Sequence, residues 1–168
     1  MNLNLGPLRR RRVLYRRFLH VLLLVFIGAS PAWSRDLALV SNKSNAMSAI
    51  TLTDLAKVCK AQTSRWPDGK PVTFVMRSPS VPAMKVFLEK VYGMSESEVN
   101  GLIATSNHGR PNHPAIVVAT SDEELVNKVA SVPGAIGVVD VYSINSSVEV
   151  VKIAGKLPLE PGYLLHGK

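Results

Sequence analysis

Cysteine is almost missing from this chain of 168 residues. Cys59 stands alone, so no disulfide can close within the sequence, and stability has to come from packing. Aromatic residues make up only 6 %, which leaves Val, Ile, Leu and Ala to build the core. No Gly-x-Ser-x-Gly elbow, Gly-x-Gly-x-x-Gly turn or Walker loop occurs. Those gaps remove the sequence signatures of a serine hydrolase, a dinucleotide fold and a P-loop nucleotidase. Asp122-Glu123-Glu124 fall in the first turn of an expected helix, where negative charge complements the dipole without acid–base chemistry. No catalytic residue, metal site or cofactor is expected, and the chain reads as a non-enzyme.

Long apolar runs are also lacking, with one exception. Phe18 to Ala29 is nearly unbroken and follows Arg9 to Arg12 and Arg16-Arg17. At about a dozen residues it is shorter than the ~20 a membrane-spanning helix needs. With Ala32-Trp33-Ser34 behind it, residues 1–34 read as a signal peptide cut after Ser34, the alternative being a retained N-terminal anchor. The expected address is the periplasm or the exterior, with no membrane span after cleavage.

Removing residues 1–34 also removes most of the net charge of +8. Six of the 20 Lys/Arg and none of the 12 Asp/Glu lie there, leaving 14 against 12, about +2. The basic residues that remain are scattered rather than clustered on one face, so nucleic acid is not an expected partner.

What is present alternates between strand and helix signals. Leu37 to Val40 reads as a strand and Ser41 to Ser48 as a polar loop. Thr51-x-x-Asp54 opens a helix ending near Ala61, with Cys59 on its apolar face as a buried, inert thiol. Trp66-Pro67-Asp68-Gly69 is a tight-turn signal, with Trp66 packed over the turn or, alternatively, lining a cleft. Val72 to Met76 is a β-branched and aromatic strand. After Arg77-Ser78-Pro79-Ser80-Val81-Pro82, the residues Met84, Phe87, Leu88 and Val91 repeat at the spacing of one helix face, stopped by Gly93.

Ser95-x-x-Glu98 caps a short helix reaching about Ala104. Ala115 to Ala119 is a continuous apolar strand, the pattern of a strand covered on both faces. Ser121-x-x-Glu124 starts a helix with Leu125, Val129 and Val132 inward, ended by Pro133-Gly134. Ala135 to Val139 and Val148 to Ala154 are further strands, and residues 155–168 form an irregular tail rich in Pro and Gly. The fold class expected is α/β, a mixed sheet layered by helices, in one domain over residues 35–154.

Two candidate sites follow from residue types. Arg77, Ser78 and Ser80 precede a helix start, where free N–H groups and the dipole favour an oxyanion, although the same residues also serve as an ordinary cap. His108 and His113 lie five apart in a loop with no carboxylate or cysteine beside them, and read as solvated rather than metal-bound.

Trp66-Pro67-Asp68-Gly69, the strand with its Arg77 and serine turn, the helix carrying Phe87, the helix from Ser121 and Pro133-Gly134-Ala135-Ile136-Gly137 occur in one order. This series, over about residues 51–139, resembles the phosphate-binding periplasmic substrate-binding proteins of ABC transporters. The resemblance implies one lobe of a type II periplasmic binding protein, phosphate or a similar oxyanion held at Arg77, Ser78 and Ser80, and an ABC transporter or other envelope protein as partner. Family members close two lobes on their ligand, and this chain matches one. The family's turn carries Ser-Gly-Thr, whereas here Ser78-Pro79-Ser80-Val81-Pro82 has no glycine and two prolines without N–H groups. Weak oxyanion binding is therefore expected, the alternative being an accessory interaction module that keeps the fold without the ligand.

Overall fold

The computed structural model describes residues 35–167, so the expected signal peptide lies outside the described residues. Seven strands are assigned: β1 Leu37–Asn42, β2 Ala49–Ile50, β3 Thr73–Arg77, β4 Ile116–Ala119, β5 Ala135–Asp140, β6 Val148–Val150 and β7 Lys152–Ile153. Three regular helices accompany them: α1 Leu52–Cys59, α2 Glu96–Asn107 and α3 Asp122–Ser131. The main sheet has the order β4-β3-β5-β1-β6. In it β3 runs parallel to β4 and β5, while β1 runs antiparallel to β5 and β6. β2 and β7 form a separate parallel pair. The architecture is the expected α/β one, with a mixed sheet.

Period-two alternation divides the core into two layers. Leu37, Leu39, Phe74, Met76, Ile136 and Val138 face α1, the helical segment after β3 and the chain end. Val40, Val75, Ala135 and Val139 face Leu125, Val126 and Val129 of α3. Covering both faces is why the runs Leu37–Val40, Phe74–Met76 and Ala135–Val139 carry no polar side chain, the polar residues of these strands standing at their ends. β4 departs from that expectation. It is an edge strand, and Val118 is 40 % exposed. Its open edge is closed at Ile116 by Asn107, whose side-chain amide donates to the Ile116 carbonyl (2.7 Å) and accepts from its N–H (3.1 Å). Such a plug limits edge-to-edge pairing.

Local capping signals are realised. Thr51, Ser95 and Ser121 accept from the backbone N–H groups of Asp54, Glu98 and Glu124. The segment after β3 is not the continuous α-helix its spacing predicts. It runs as a 3-10 turn, Pro82–Met84, a single α turn, Lys85–Phe87, and a π turn, Leu88–Tyr92, before Gly93 ends it at φ 60°. Met84, Phe87, Leu88 and Val91 are nonetheless all buried. Phe87 stacks on Phe74 at 5.8 Å and meets Tyr92 edge-on. The Val148–Ala154 strand is likewise split, its halves belonging to different sheets.

The two motifs that carry the family resemblance touch one another. The Trp66 indole donates to the Gly134 carbonyl at 2.8 Å. Gly134 has φ +87°, and a Cβ there would lie 2.1 Å from the Pro71 carbonyl oxygen, so no other residue fits without a shift. Asn45, buried in what reads as a polar loop, accepts from the Gly134 N–H (2.9 Å) and donates to the Ala135 carbonyl (2.9 Å). Trp66 thus packs against the core beside its turn, and its remaining face borders a groove with Met47 and Pro67. The tail is irregular, as expected, but Tyr163 and Leu165 are buried in the core and the Leu37 N–H donates to the Leu165 carbonyl. The packed unit therefore extends beyond Ala154.

Candidate functional site

In a parallel sheet, ligands characteristically sit beyond the carboxyl ends of the strands. Arg77 closes β3, paired in register with Ala119 of β4, so its guanidinium starts from that end of the sheet. Its Nη1 donates to Asp122 Oδ1 at 2.8 Å, and both side chains are about a quarter exposed. Asp122 Oδ2 accepts from the Ser143 hydroxyl at 3.3 Å. Arg77 Nε is buried without a hydrogen-bond partner. One carboxylate of the chain itself therefore holds one side of the guanidinium, and one buried donor is left over.

Asp122 is placed by α3. Ser121 caps the helix, and Glu124 folds back so that its carboxylate accepts from the Thr120 backbone N–H at 2.7 Å and from the Thr120 hydroxyl. Those contacts, the hydroxyl first, hold the Glu124 carboxyl below its ordinary value. The acidic run does the capping its sequence suggests, and Asp122 in addition answers Arg77.

The serines form a second group. Ser78 and Ser80 hydroxyls hydrogen-bond each other at 2.8 Å, and the Ser80 N–H points back to Ser78 Oγ at 3.4 Å. Within the turn, the Val81 and Met84 N–H groups are taken by the Ser78 and Val81 carbonyls. Pro79 and Pro82 contribute no N–H. The following 3-10 turn has no side-chain cap. Sequence proximity thus brings Arg77, Ser78 and Ser80 to one end of the sheet, but the helix N-terminus they were expected to serve is short and its donors are largely spent. A groove of about 670 Å³ opens beside Ser80 and includes Lys85, Glu89 and Glu96, so its charge does not favour an anion.

The remaining candidates resolve simply. Cys59 is fully buried, and burial pushes its thiol well above the ordinary value, as an inert core residue requires. His108 is exposed at the end of α2, and His113 is exposed in the loop before β4. Among the described residues no group of three or more His, Cys, Asp or Glu gathers in a metal-holding arrangement. Arg77, Ser78, Ser80 and Asp122 together form a lip at the carboxyl ends of β3 and β4, and Asp122 is the member of it that the sequence assigned only to capping. Its register across from Arg77 depends on β3 and β4 being neighbours, which no local pattern encodes.

No family model and no curated protein sequence matches the chain. Solved structures do. An ABC-type phosphate transport receptor from Vibrio cholerae superposes with a TM-score of 0.58 at 19 % identity, over 73 % of this chain and 47 % of that one. A phosphate ABC transporter substrate-binding protein from Clostridium perfringens, solved with bound phosphate, gives 0.56 at 19 % identity, over 72 % and 46 %. A phosphate-binding protein from Stenotrophomonas maltophilia gives 0.55 at 14 % identity, over 74 % and 40 %. The chain spans less than half the length of each of these three. The fold is therefore that of one lobe of the phosphate ABC transporter substrate-binding proteins, as the ordered motifs from Trp66 to Gly137 imply.

Proposed function

We propose that this chain is an exported envelope protein, a single receptor lobe that holds phosphate or a similar oxyanion weakly at Arg77, Ser78 and Ser80. The observation that carries this reading is the guanidinium of Arg77, with one N–H on Asp122 and a buried Nε without a partner, at the carboxyl end of a parallel strand. The neighbouring hydroxyls bond only each other among the side chains, and can turn toward an incoming anion. Asp122 is then the resident competitor. Like charge between its carboxylate and a phosphate dianion keeps affinity low. The working role is binding, with no catalytic step or cofactor, and an ABC transporter or another envelope protein as partner.

Isothermal titration with phosphate and sulfate tests this. Wild type should give weak, millimolar binding, Asp122→Asn should tighten it by about tenfold by removing one opposing charge, and Arg77→Ala should abolish it. Absence of heat at millimolar ligand in both wild type and Asp122→Asn would remove the oxyanion reading.

A second reading is favoured by the turn itself. Its backbone donors are spent internally and two are lost to proline. On that reading the chain is an accessory interaction module that keeps the lobe without the ligand. A stable envelope partner, indifferent to Arg77→Ala and Ser80→Ala, distinguishes it.

A further inference from the structure

The described residues contain four arginines, and they fall into two pairs. Arg35 and Arg77 each hold a carboxylate, on Asp140 and Asp122. Arg65 and Arg110 hold none among the described residues, and both line the same groove. This groove lies at the amino ends of β3 and β4, where Val72 and His113 enter the strands, opposite the Arg77 lip. Its volume is about 780 Å³, and its lining includes His113 and Asn112 but no Asp or Glu. Arg65 spends Nη1 on the Gly69 carbonyl at 2.8 Å, which steadies the guanidinium while leaving its other N–H groups open.

We propose that this groove docks an extended acidic segment of a partner protein, whose carboxylates pair with Arg65 and Arg110. Three features select that occupant. Guanidinium groups match carboxylates in fork geometry, and here two of them share one groove with no carboxylate partner among the described residues. The space far exceeds a single small oxyanion, and an extended chain advancing ~3.3 Å per residue can reach both arginines in turn. Pro71, Val72 and Pro111 supply apolar wall between the charges, suited to side-chain stems and backbone rather than to a hydrated ion. The site is separate from the oxyanion lip and does not depend on it.

The test uses the chain without residues 1–34 and a fluorescent hexaglutamate peptide, read by anisotropy. Binding should be saturable at low salt and weaken as salt rises, because the contacts are charged. Arg110→Glu should weaken it at least about tenfold, the scale of losing one close charge pair at an interface. Lys128→Glu on exposed α3 makes the same change in net charge elsewhere and should leave it unchanged. Arg110 is exposed on a loop, so an unaltered melting temperature will certify the fold of the variant. The proposal is overturned if the peptide does not bind at low salt, or if Lys128→Glu weakens it as much as Arg110→Glu. It is also overturned if inorganic phosphate, at matched ionic strength, displaces the peptide from wild type through Arg110, which would make the groove a small-oxyanion site.

Discussion

The two ends of the parallel strands carry their arginines in opposite states. At the carboxyl end Arg77 is answered from within the chain by Asp122. At the amino end Arg65 and Arg110 share a groove lined by no carboxylate. An arginine satisfied by its own chain can bind a solute only by giving something up, whereas a free one gains by pairing. The end where the fold's ligands are expected is thus the more self-sufficient, and the opposite end is the more open to a partner.

The severest way to break this contrast is at Gly134. Gly134→Ala puts a methyl against the Pro71 carbonyl in a left-handed backbone, and should cost about 2–4 kcal/mol in urea unfolding. Because Pro71 walls the groove, peptide binding should fail there before the Arg77 lip is disturbed. An effect below about 1 kcal/mol would show that the Trp66 and Gly134 turns are not tightly joined.

Next is Asn45→Ala, which strips the Gly134 N–H and Ala135 carbonyl of a buried partner and should cost about 1–3 kcal/mol by the same measurement. Asp122→Ala is milder in stability, since the pair is a quarter exposed. It should cost about 1 kcal/mol while raising oxyanion affinity, so that stability and binding move in opposite directions.

The smallest effect expected is with pH. Glu98 and Glu124 are held below their ordinary value of 4.5, first by the Ser95 and Thr120 hydroxyls and then by the corresponding backbone N–H groups. A lowered folded value means that their stabilisation is present above the unfolded value and is lost as pH falls through the folded one. Melting temperature should therefore decline as pH drops below about 4.5, and Glu98→Gln with Glu124→Gln should flatten that decline. Both carboxylates are exposed, so the change should be small, and a slope unaltered in the double variant would assign acid loss to other groups.

Legibility in the sequence followed the range of the interaction. Caps at Thr51, Ser95 and Ser121 and the stop at Gly93 were readable because each involves residues no more than five apart. The apolar face of Met84, Phe87, Leu88 and Val91 was readable too, although its backbone changes from 3-10 to α to π along the way. The polar run Ser41–Ser48 gave no sign that Asn42 would donate to the Val129 and Ala130 carbonyls, or Asn45 to Ala135. Nor did the Pro/Gly-rich tail show that Tyr163 and Leu165 would complete the core. A polar loop and an irregular tail look alike in sequence whether they are solvated or folded inward.

By itself the amino-acid order determined the main succession of strands and helices and the lone buried thiol, since periodicity and capping act within a few residues, whereas the two-sided cover it suggested for Ala115–Ala119 went instead to β1, β3 and β5. Only the tertiary structure decided that Arg77 meets Asp122, 45 positions on, that Asn45 meets Gly134, 89 positions on, and that Arg65 and Arg110 are left facing one groove. Those partners are chosen by strand order, which brings loops together across the sheet. A charge's neighbours, and hence what it can bind, are settled only there.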